Sequence, residues 1–403
     1  MERVVIVGAS LAGLRAAESL RQNGFEGAVT LVGAEPHLPY DRPPLSKQVL
    51  AGEWDLDRIW LRPAETYARL DLDLRLGRRA TALDPHARTV VLDDGEPVGF
   101  DGLVITTGAL PRTLPNTPAL EGIHVLRTIE DCLAIRSALD AGIRRLVVVG
   151  AGFIGAEVAA TARRRGHEVT LLEALRVPLA RGLGERMGEV CAALHRDEGV
   201  DLRLGVAVAG FEGSGHVEAV RLGDGGVVEA DLVVVGVGVR PATDWLEGSG
   251  LVLSDGVVCR DTCAVEGAEG IYAAGDLARW PNHLFGEEMR VEHWTNAAEQ
   301  ADAAARNLLA WARGEPGEAY APVPYFWSDQ YDTKIQMVGH PGPDDRVEVV
   351  RGSVEERRFV AIYGRAGRIV ACLGFSMPRL VMQYRRLIAE RASFDEALAM
   401  ATA

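Results

Sequence analysis

Residues Gly150-Ala151-Gly152-Phe153-Ile154-Gly155 hold three glycines at the spacing G-x-G-x-x-G, and Glu173 follows eighteen residues past the last of them. Glycines at that spacing let backbone N–H groups approach a pyrophosphate at a helix N-terminus. A carboxylate after the next strand accepts hydrogen bonds from a ribose 2′-hydroxyl and repels a 2′-phosphate. The pattern reads as a site for NADH in preference to NADPH, with Arg176 the one nearby cation that works the other way. A second copy lies at the start of the chain, in RVVIVGASLAG. Gly8 and Gly13 keep their places, but Ser10 stands at the middle position, where backbone comes closest to phosphates. The acid is displaced too: Gly33 follows the apolar run Val29 to Val32, and Glu35 comes two residues later, as a ribose ligand or as a plain surface carboxylate.

Other residues have chemistry to offer. In Tyr40-Asp41-Arg42-Pro43-Pro44-Leu45-Ser46-Lys47 two prolines stiffen the backbone, so Arg42 and Lys47 are cations held in fixed places, beside a cofactor or at a surface corner. Thr107-Gly108 ends an apolar strand with small residues that permit close approach to a ligand. The cysteines (Cys132, Cys191, Cys259, Cys263 and Cys372) are odd in number and scattered. None forms C-x-x-C, and Cys259 with Cys263 lacks the second pair that a metal site requires, so they read as small buried residues and no metal is expected.

The elements that must position these residues follow from periodicity. Val4 to Val7, Val29 to Val32, Leu103 to Thr106, Arg145 to Val149, Val169 to Leu172 and Leu232 to Val235 are short β-branched runs suited to parallel strands buried on both faces. Helical patterns run from Leu14 to Gln22, Thr128 to Ala141, Ala156 to Arg165 and Asn296 to Ala312. Leu72 to Leu76 and Thr89 to Leu92 read as strands, with a turn at Asp93-Asp94-Gly95. Leu202 to Leu204, Val217 to Leu222 and Val227 to Glu229 read as a meander. Gly236 and the Gly275-Asp276 pair each sit at a strand end. Residues 111 to 122, with three prolines, read as a linker. Beyond about Val323 come aromatic residues, alternating strands at 335–339, 346–351, 358–363 and 368–375, and a last helix from Pro378 to Glu390. The expectation is an α/β chain: two Rossmann-like dinucleotide-binding domains plus a C-terminal α+β domain with an antiparallel sheet.

Bulk properties set limits. The chain has 403 residues, 48% hydrophobic and 25% charged, which is globular composition and room for two or three domains. A formal net charge of −14 argues against nucleic acid or an anionic membrane as a partner. Among 43 basic residues only Lys47 and Lys334 are lysines; the rest are arginines. No apolar run approaches the roughly 18 residues of a membrane span, and the first core strand begins by residue 3, so a cytoplasmic protein is expected.

Taken in order, GASLAG, TTG, LRT, GAGFIG, GVGVRP, YAAGD and the third unit resemble the two-dinucleotide-binding-domain flavoproteins over the full length. PYDRPPLSK, GAGFIGAEVA, EHWTNAAEQA and YFWSDQYDTKIQMVG are similar to the bacterial ferredoxin reductases of that group. Those are NADH-dependent FAD enzymes that serve Rieske oxygenases or haem monooxygenases through a [2Fe-2S] ferredoxin. The missing C-x-x-x-x-C near the first helix sets the chain apart from the disulfide-reductase branch.

The resemblance implies an FAD-binding domain at residues 1–112 and 245–320, an NAD-binding domain at 113–244 and a C-terminal domain at 321–403. It implies that hydride passes from NADH to N5 of FAD and that electrons then leave singly. Gly8, Ser10, Ala12 and Gly13 would hold the FAD pyrophosphate, with Glu35 toward the adenosine. Lys47 would lie near N5 as a tuning charge, and Glu157 near the nicotinamide; these two are the candidate catalytic residues. Arg42, Thr107, Gly108, Arg127, Gly275, Asp276, Glu292, Trp294 and Trp327 would line the flavin. Gly150, Gly152, Ile154, Gly155, Glu173 and Gly236 would hold NADH.

An acidic ferredoxin would need a local basic patch on this acidic chain, for which Arg306, Arg313, Lys334, Arg385 and Arg386 are candidates, on a monomer or weak homodimer. The alternatives are an NADH oxidase, a reductase of a quinone or radical on the same fold, or an apoptosis-inducing-factor-like binding protein. Net charge weighs against the last.

Overall fold

A computed structural model describes residues 1–402. The chain forms two compact units. The first comprises Met1–Asp41, Ile59–Leu110 and Arg240–Tyr325; the second comprises Arg42–Arg58, Pro111–Val239 and Phe326–Ala403.

The first unit is built on a five-stranded parallel sheet in the order Ile271–Ala273, Gly102–Ile105, Arg3–Val7, Ala28–Gly33, Leu72–Leu76. Val4 to Val7 are all buried, as a strand covered on both faces requires. The chain order reverses beside Arg3–Val7, and the carboxyl ends of that strand and of Gly102–Ile105 flank the crevice where ligands of such sheets bind. The helix Leu11–Gln22 turns Ala12, Ala16 and Ala17 inward, and Ala301, Ala304 and Ala305 of the helix Trp294–Ala312 share the same core. Small residues on both helices bring the two axes close together. The strands Ala80–Asp84, Thr89–Leu92 and Pro97–Gly99 form a small antiparallel sheet, and Gly95 at the expected turn takes a φ of 85°.

The second unit repeats the plan. Its parallel sheet runs Asp201–Leu204, Glu168–Glu173, Arg145–Val149, Leu232–Val235, Ile123–His124, and the order reverses beside Arg145–Val149. The helix Ile129–Asp140 starts with a capping box: Thr128 Oγ1 accepts from the Asp131 N–H, and the Asp131 carboxylate accepts from the Thr128 N–H. The run at Leu202 is not part of a meander. It pairs parallel with Glu168–Glu173, and the meander consists of Val208–Ser214, His216–Leu222 and Val227–Glu229.

The antiparallel sheet of the same unit has the order Tyr325–Gln330, Thr333–Gly339, Arg368–Phe375, Arg358–Arg365, Arg346–Ser353. Its first strand and the helix Phe394–Thr402 have no counterpart in the sequence reading. Leu183, Met187 and Cys191 of the helix Ala180–Asp197 pack with Ile335, Phe359 and Phe375 of this sheet.

Among the described residues, no helix is long and apolar enough to cross a membrane.

Candidate functional site

The two glycine turns are built from the same contacts. Gly8 has a φ of 123°, and a Cβ there would stand 2.2 Å from the Thr106 carbonyl oxygen. Gly150 has a φ of 98°, and a Cβ would stand 2.4 Å from the Gly236 carbonyl oxygen. No L side chain fits either place. Gly13 and Gly155 bring each helix so near its strand that a Cβ would lie 2.0 Å from the carbonyl of Gly8 or of Gly150. Ser10 and Gly152 are the N-caps of the two helices, both extended; the Ser10 side chain makes no capping hydrogen bond, and a Cβ on Gly152 would meet nothing within 4 Å. Each turn thus ends in a helix N-terminus whose cap makes no side-chain hydrogen bond, and beside Gly152 the space is open, which suits a pyrophosphate.

In the first unit the structure gathers several of the expected residues around this turn. Gly275 has a φ of 85° and lies over Ala12, so that a Cβ on it would sit 3.5 Å from the Ala12 methyl. The Gly275 N–H donates to Gln300 Oε1 at 2.9 Å. Arg290 donates to the Asp276 carbonyl at 2.8 Å and to Glu292 at 2.6 Å, tying those two positions together. Trp294 is fixed by its indole N–H, which donates to Asp41 at 2.7 Å. Thr107 donates to the Ala242 carbonyl at 2.8 Å, and Gly108 takes a φ of 68°. Glu35 accepts from the Tyr40 hydroxyl at 2.5 Å.

Four residues expected on the same cofactor as these, Arg42, Lys47, Arg127 and Trp327, belong to the second unit. There Arg42 donates to the Arg127 carbonyl at 2.5 Å, and Trp327 is half-buried on the strand Tyr325–Gln330.

Around the second turn, Glu173 accepts from the Ala151 N–H at 2.7 Å and from the Leu175 N–H at 2.9 Å. The carboxylate therefore stands against the glycine loop itself, and its further lone pairs are left to accept from a ribose. Ile154 is 46% exposed on the first turn of the helix Phe153–Arg164, an apolar surface a bound ligand would cover.

One turn further along that helix Glu157 is only 3% exposed. Lys47 Nζ donates to Glu157 Oε2 at 2.7 Å, and Ser46 Oγ donates to the same oxygen at 2.5 Å. Ser328 Oγ donates to Oε1 at 2.7 Å. Removing two ions from water costs several kcal/mol each unless their remaining lone pairs and protons are used, which is what the two hydroxyls accomplish. The chain around Lys47 is anchored from the same helix: Thr161 donates to the Ser46 carbonyl at 2.8 Å.

Ser46 and Ser328 were not singled out by the sequence. Ser46 adjoins Lys47 in the proline loop, and Ser328 alternates with Gln330 on a strand face where buried polar side chains are unusual; that alternation was the available signal.

Burial pushes the thiols of Cys132, Cys191 and Cys259 up to about 12, and those of Cys263 and Cys372 well above the ordinary range. All five cysteines are buried and unbridged, so none is a thiolate at neutral pH. Among the described residues no group of His, Cys, Asp and Glu is arranged to hold a metal. The candidate docking cations are mostly answered within their own units: Arg306 by Asp302 and Glu318, Arg313 by Glu315, and Lys334 by Asp329 at 3.3 Å. Arg386 lies 3.8 Å from Glu390 with both side chains well exposed.

Residues 2–301 match the model of the pyridine nucleotide-disulphide oxidoreductases, and residues 325–403 match the reductase C-terminal model. A ferredoxin–NAD(P)(+) reductase of Sphingomonas sp is 38% identical over 97% of this chain and 94% of its own length. The ferredoxin–NAD(+) reductase component of the p-cumate 2,3-dioxygenase system of Pseudomonas putida is 38% identical over 98% and 95%. Among solved structures, the covalent putidaredoxin reductase–putidaredoxin complex superposes with a TM-score of 0.91, at 36% identity and covering 97% of this chain and 93% of the other. Two glycine turns at two switch points, and matches of this extent, lead to one assignment: the chain belongs to the pyridine nucleotide-disulphide oxidoreductase family.

Proposed function

We propose that the chain is an NADH-dependent ferredoxin reductase that binds FAD and NADH and passes single electrons to a [2Fe-2S] ferredoxin serving an oxygenase. The observation that carries this reading is the pair of glycine turns, alike at their outer glycines, in a chain whose five cysteines are all buried and unbridged. Two dinucleotides have built cradles, and no thiol pair stands ready to take the electrons. When bound, FAD accepts a hydride equivalent and releases its electrons one at a time, which an iron–sulfur acceptor requires.

The chain's own residues do the rest. Residues 1–112 with 245–320 form the FAD domain, 113–244 the NADH domain and 321–403 a third. The N–H groups from Gly8 to Gly13 hold the FAD pyrophosphate, beside Ala12 and Ser10, with Glu35 toward the adenosine. Thr107, Gly108, Gly275, Asp276, Glu292 and Trp294 orient the flavin, and the family resemblance adds Arg42, Arg127 and Trp327. Gly150 to Gly155, with Ile154 and Gly236, hold NADH, and Glu173 accepts from its ribose hydroxyls. Lys47 sets a positive charge against the flavin, and Glu157, near the nicotinamide, holds that charge in place. The protein works as a monomer or weak homodimer in the cytoplasm.

Stopped-flow mixing of the NADH-bleached yellow protein with a [2Fe-2S] ferredoxin, with oxygen and with quinones tests the reading. Ferredoxin should restore the flavin absorbance fastest. If oxygen or a quinone does so efficiently and ferredoxins do not, the chain is an oxidase or small-molecule reductase instead.

A further inference from the structure

Glu157 sits at the end of a line of buried side chains that the proposed reaction does not use. Its Oε2 is shared by Lys47 and Ser46, but among the described residues Oε1 is served by Ser328 alone. Ser328 Oγ also receives the Gln330 Nε2 amide at 3.2 Å. An amide NH₂ group only donates, so Ser328 must accept from it and direct its own proton to Glu157. Gln330 Oε1 is then turned the other way. It is buried and lacks a hydrogen-bond partner, and so is Nε2 of His195. These two orphans are neighbours: Gln330 is the side chain that favours a proton on the His195 ring, against a burial that pushes its pKa down to about 4. A buried ring so disfavoured as a cation carries one proton. The other ring nitrogen, Nδ1, meets the Tyr331 hydroxyl at 2.9 Å.

One arrangement of protons suits every group. Tyr331 donates to His195 Nδ1, His195 Nε2–H faces Gln330 Oε1, Gln330 donates to Ser328, and Ser328 donates to Glu157. Tyr331 opens the two-residue turn between Tyr325–Gln330 and Thr333–Gly339, where its φ of 57° belongs to the turn, and its ring stands edge-on to His195 with centroids 5.5 Å apart.

We propose that Tyr331, His195, Gln330 and Ser328 form a one-directional chain of donors that fixes the Glu157 carboxylate, and through it the Lys47 ammonium, for the hydride-accepting half of the reaction. The proposal rests on the reading that places Lys47 and Glu157 at the flavin and nicotinamide. Ser328 and Gln330 are positioning residues in this scheme. Without Ser328, Oε1 loses its only donor and the carboxylate turns to share Lys47 between both oxygens, displacing Nζ.

The test uses the FAD-loaded protein and three variants: Ser328→Ala, Ser328→Thr and Gln330→Met. In anaerobic rapid mixing, Ser328→Ala should slow bleaching of the flavin by NADH about tenfold, the worth of one buried charge-assisted hydrogen bond. Reoxidation by ferredoxin and FAD content should stay within about twofold, and Ser328→Thr, which keeps the hydroxyl, should restore most of the rate. Equal loss in both half-reactions, or no loss at all, overturns the positioning role.

A second readout is independent of turnover. Nitrogen-15 NMR of the imidazoles, with the His195 signal identified by its absence in His195→Gln, should show the Nε2–H tautomer at neutral pH. Gln330→Met should shift that ring toward Nδ1–H. The Nδ1–H tautomer in the parent protein overturns the chain of donors. Glu157→Gln serves as the control: if it leaves bleaching by NADH unchanged, the site reading fails, and the tautomer alone decides whether the chain exists.

Discussion

The turn at Gly8–Gly13 and the turn at Gly150–Gly155 differ at one position of the three, and the difference separates what the protein needs from what a ligand needs. The outer glycines are dictated from within: a Cβ at any of Gly8, Gly13, Gly150 or Gly155 would collide with a backbone carbonyl of the same unit. The middle position carries no such demand. Ser10 has a φ of −124° and Gly152 a φ of −73°, both open to L residues, and the space beside Gly152 is empty. The residue type there answers to whatever approaches from outside the fold.

The same contrast extends to the carboxylates on the two helices. Glu18, in the first unit, is held by two guanidinium groups, Arg62 at 2.6 Å and Arg15 at 2.9 Å, each about a third exposed. Glu157 relies on one largely buried ammonium and two neutral hydroxyls. Both carboxylates are buried, but the partners of Glu18 reach solvent and those of Glu157 do not.

The comparison breaks most visibly at the outer glycines. Gly8→Ala and Gly150→Ala should each cost about 4 kcal/mol or more, since positive φ and a backbone clash coincide, and chemical denaturation should show both falling together. If either variant is as stable as the parent, the two turns are not equivalent devices. At the helix carboxylates, Glu157→Gln should lose roughly 3 kcal/mol because it leaves the Lys47 charge buried without its partner. Glu18→Gln should lose about 1 kcal/mol or less, because solvent reaches both arginines. Equal losses in thermal melts would erase the distinction between them. For the acids after the second strands, Glu173→Ala should weaken NADH use more than NADPH use, by about tenfold in relative kcat/KM. Glu35→Ala should leave that ratio as it was, and an unchanged ratio in Glu173→Ala removes its ribose role. The smallest effects belong to the middle positions. Ser10→Gly and Gly152→Ser should each stay within about 0.5 kcal/mol of the parent. Ser10→Gly should also retain FAD through dialysis, whereas Ser10→Val should lose it if a phosphate passes there.

Strands buried on both faces announce themselves, and so Val4–Val7, Arg145–Val149 and Leu232–Val235 were legible, as were the glycine turns that follow the first two. The run at Leu202 was not, because four residues of mixed polarity do not tell a parallel neighbour from an antiparallel one. The helix Leu11–Gln22 starts three residues before its Leu14 expectation, since small residues directly after a glycine turn carry no apolar period. Nor does periodicity reveal that Arg42–Arg58 packs with residues far along the chain. The meeting of Lys47 with Glu157, 110 residues apart, has no local signature at all. Lys47 stood out in its proline loop, but its role at the flavin and the choice of Glu157 came through family resemblance, and Ser328, which completes their site, was passed over because one serine in an aromatic strand looks like any surface residue.

The scarcity of lysine has a practical side. Lys334 is 44% exposed beside Asp329, while Lys47 is 11% exposed and held by Glu157. An amine-directed acylating reagent therefore finds one open lysine side chain and one closed one. A fluorophore or surface tether can be attached at Lys334 without introducing a residue, and the slow appearance of label at Lys47 would clock how often its ion pair opens.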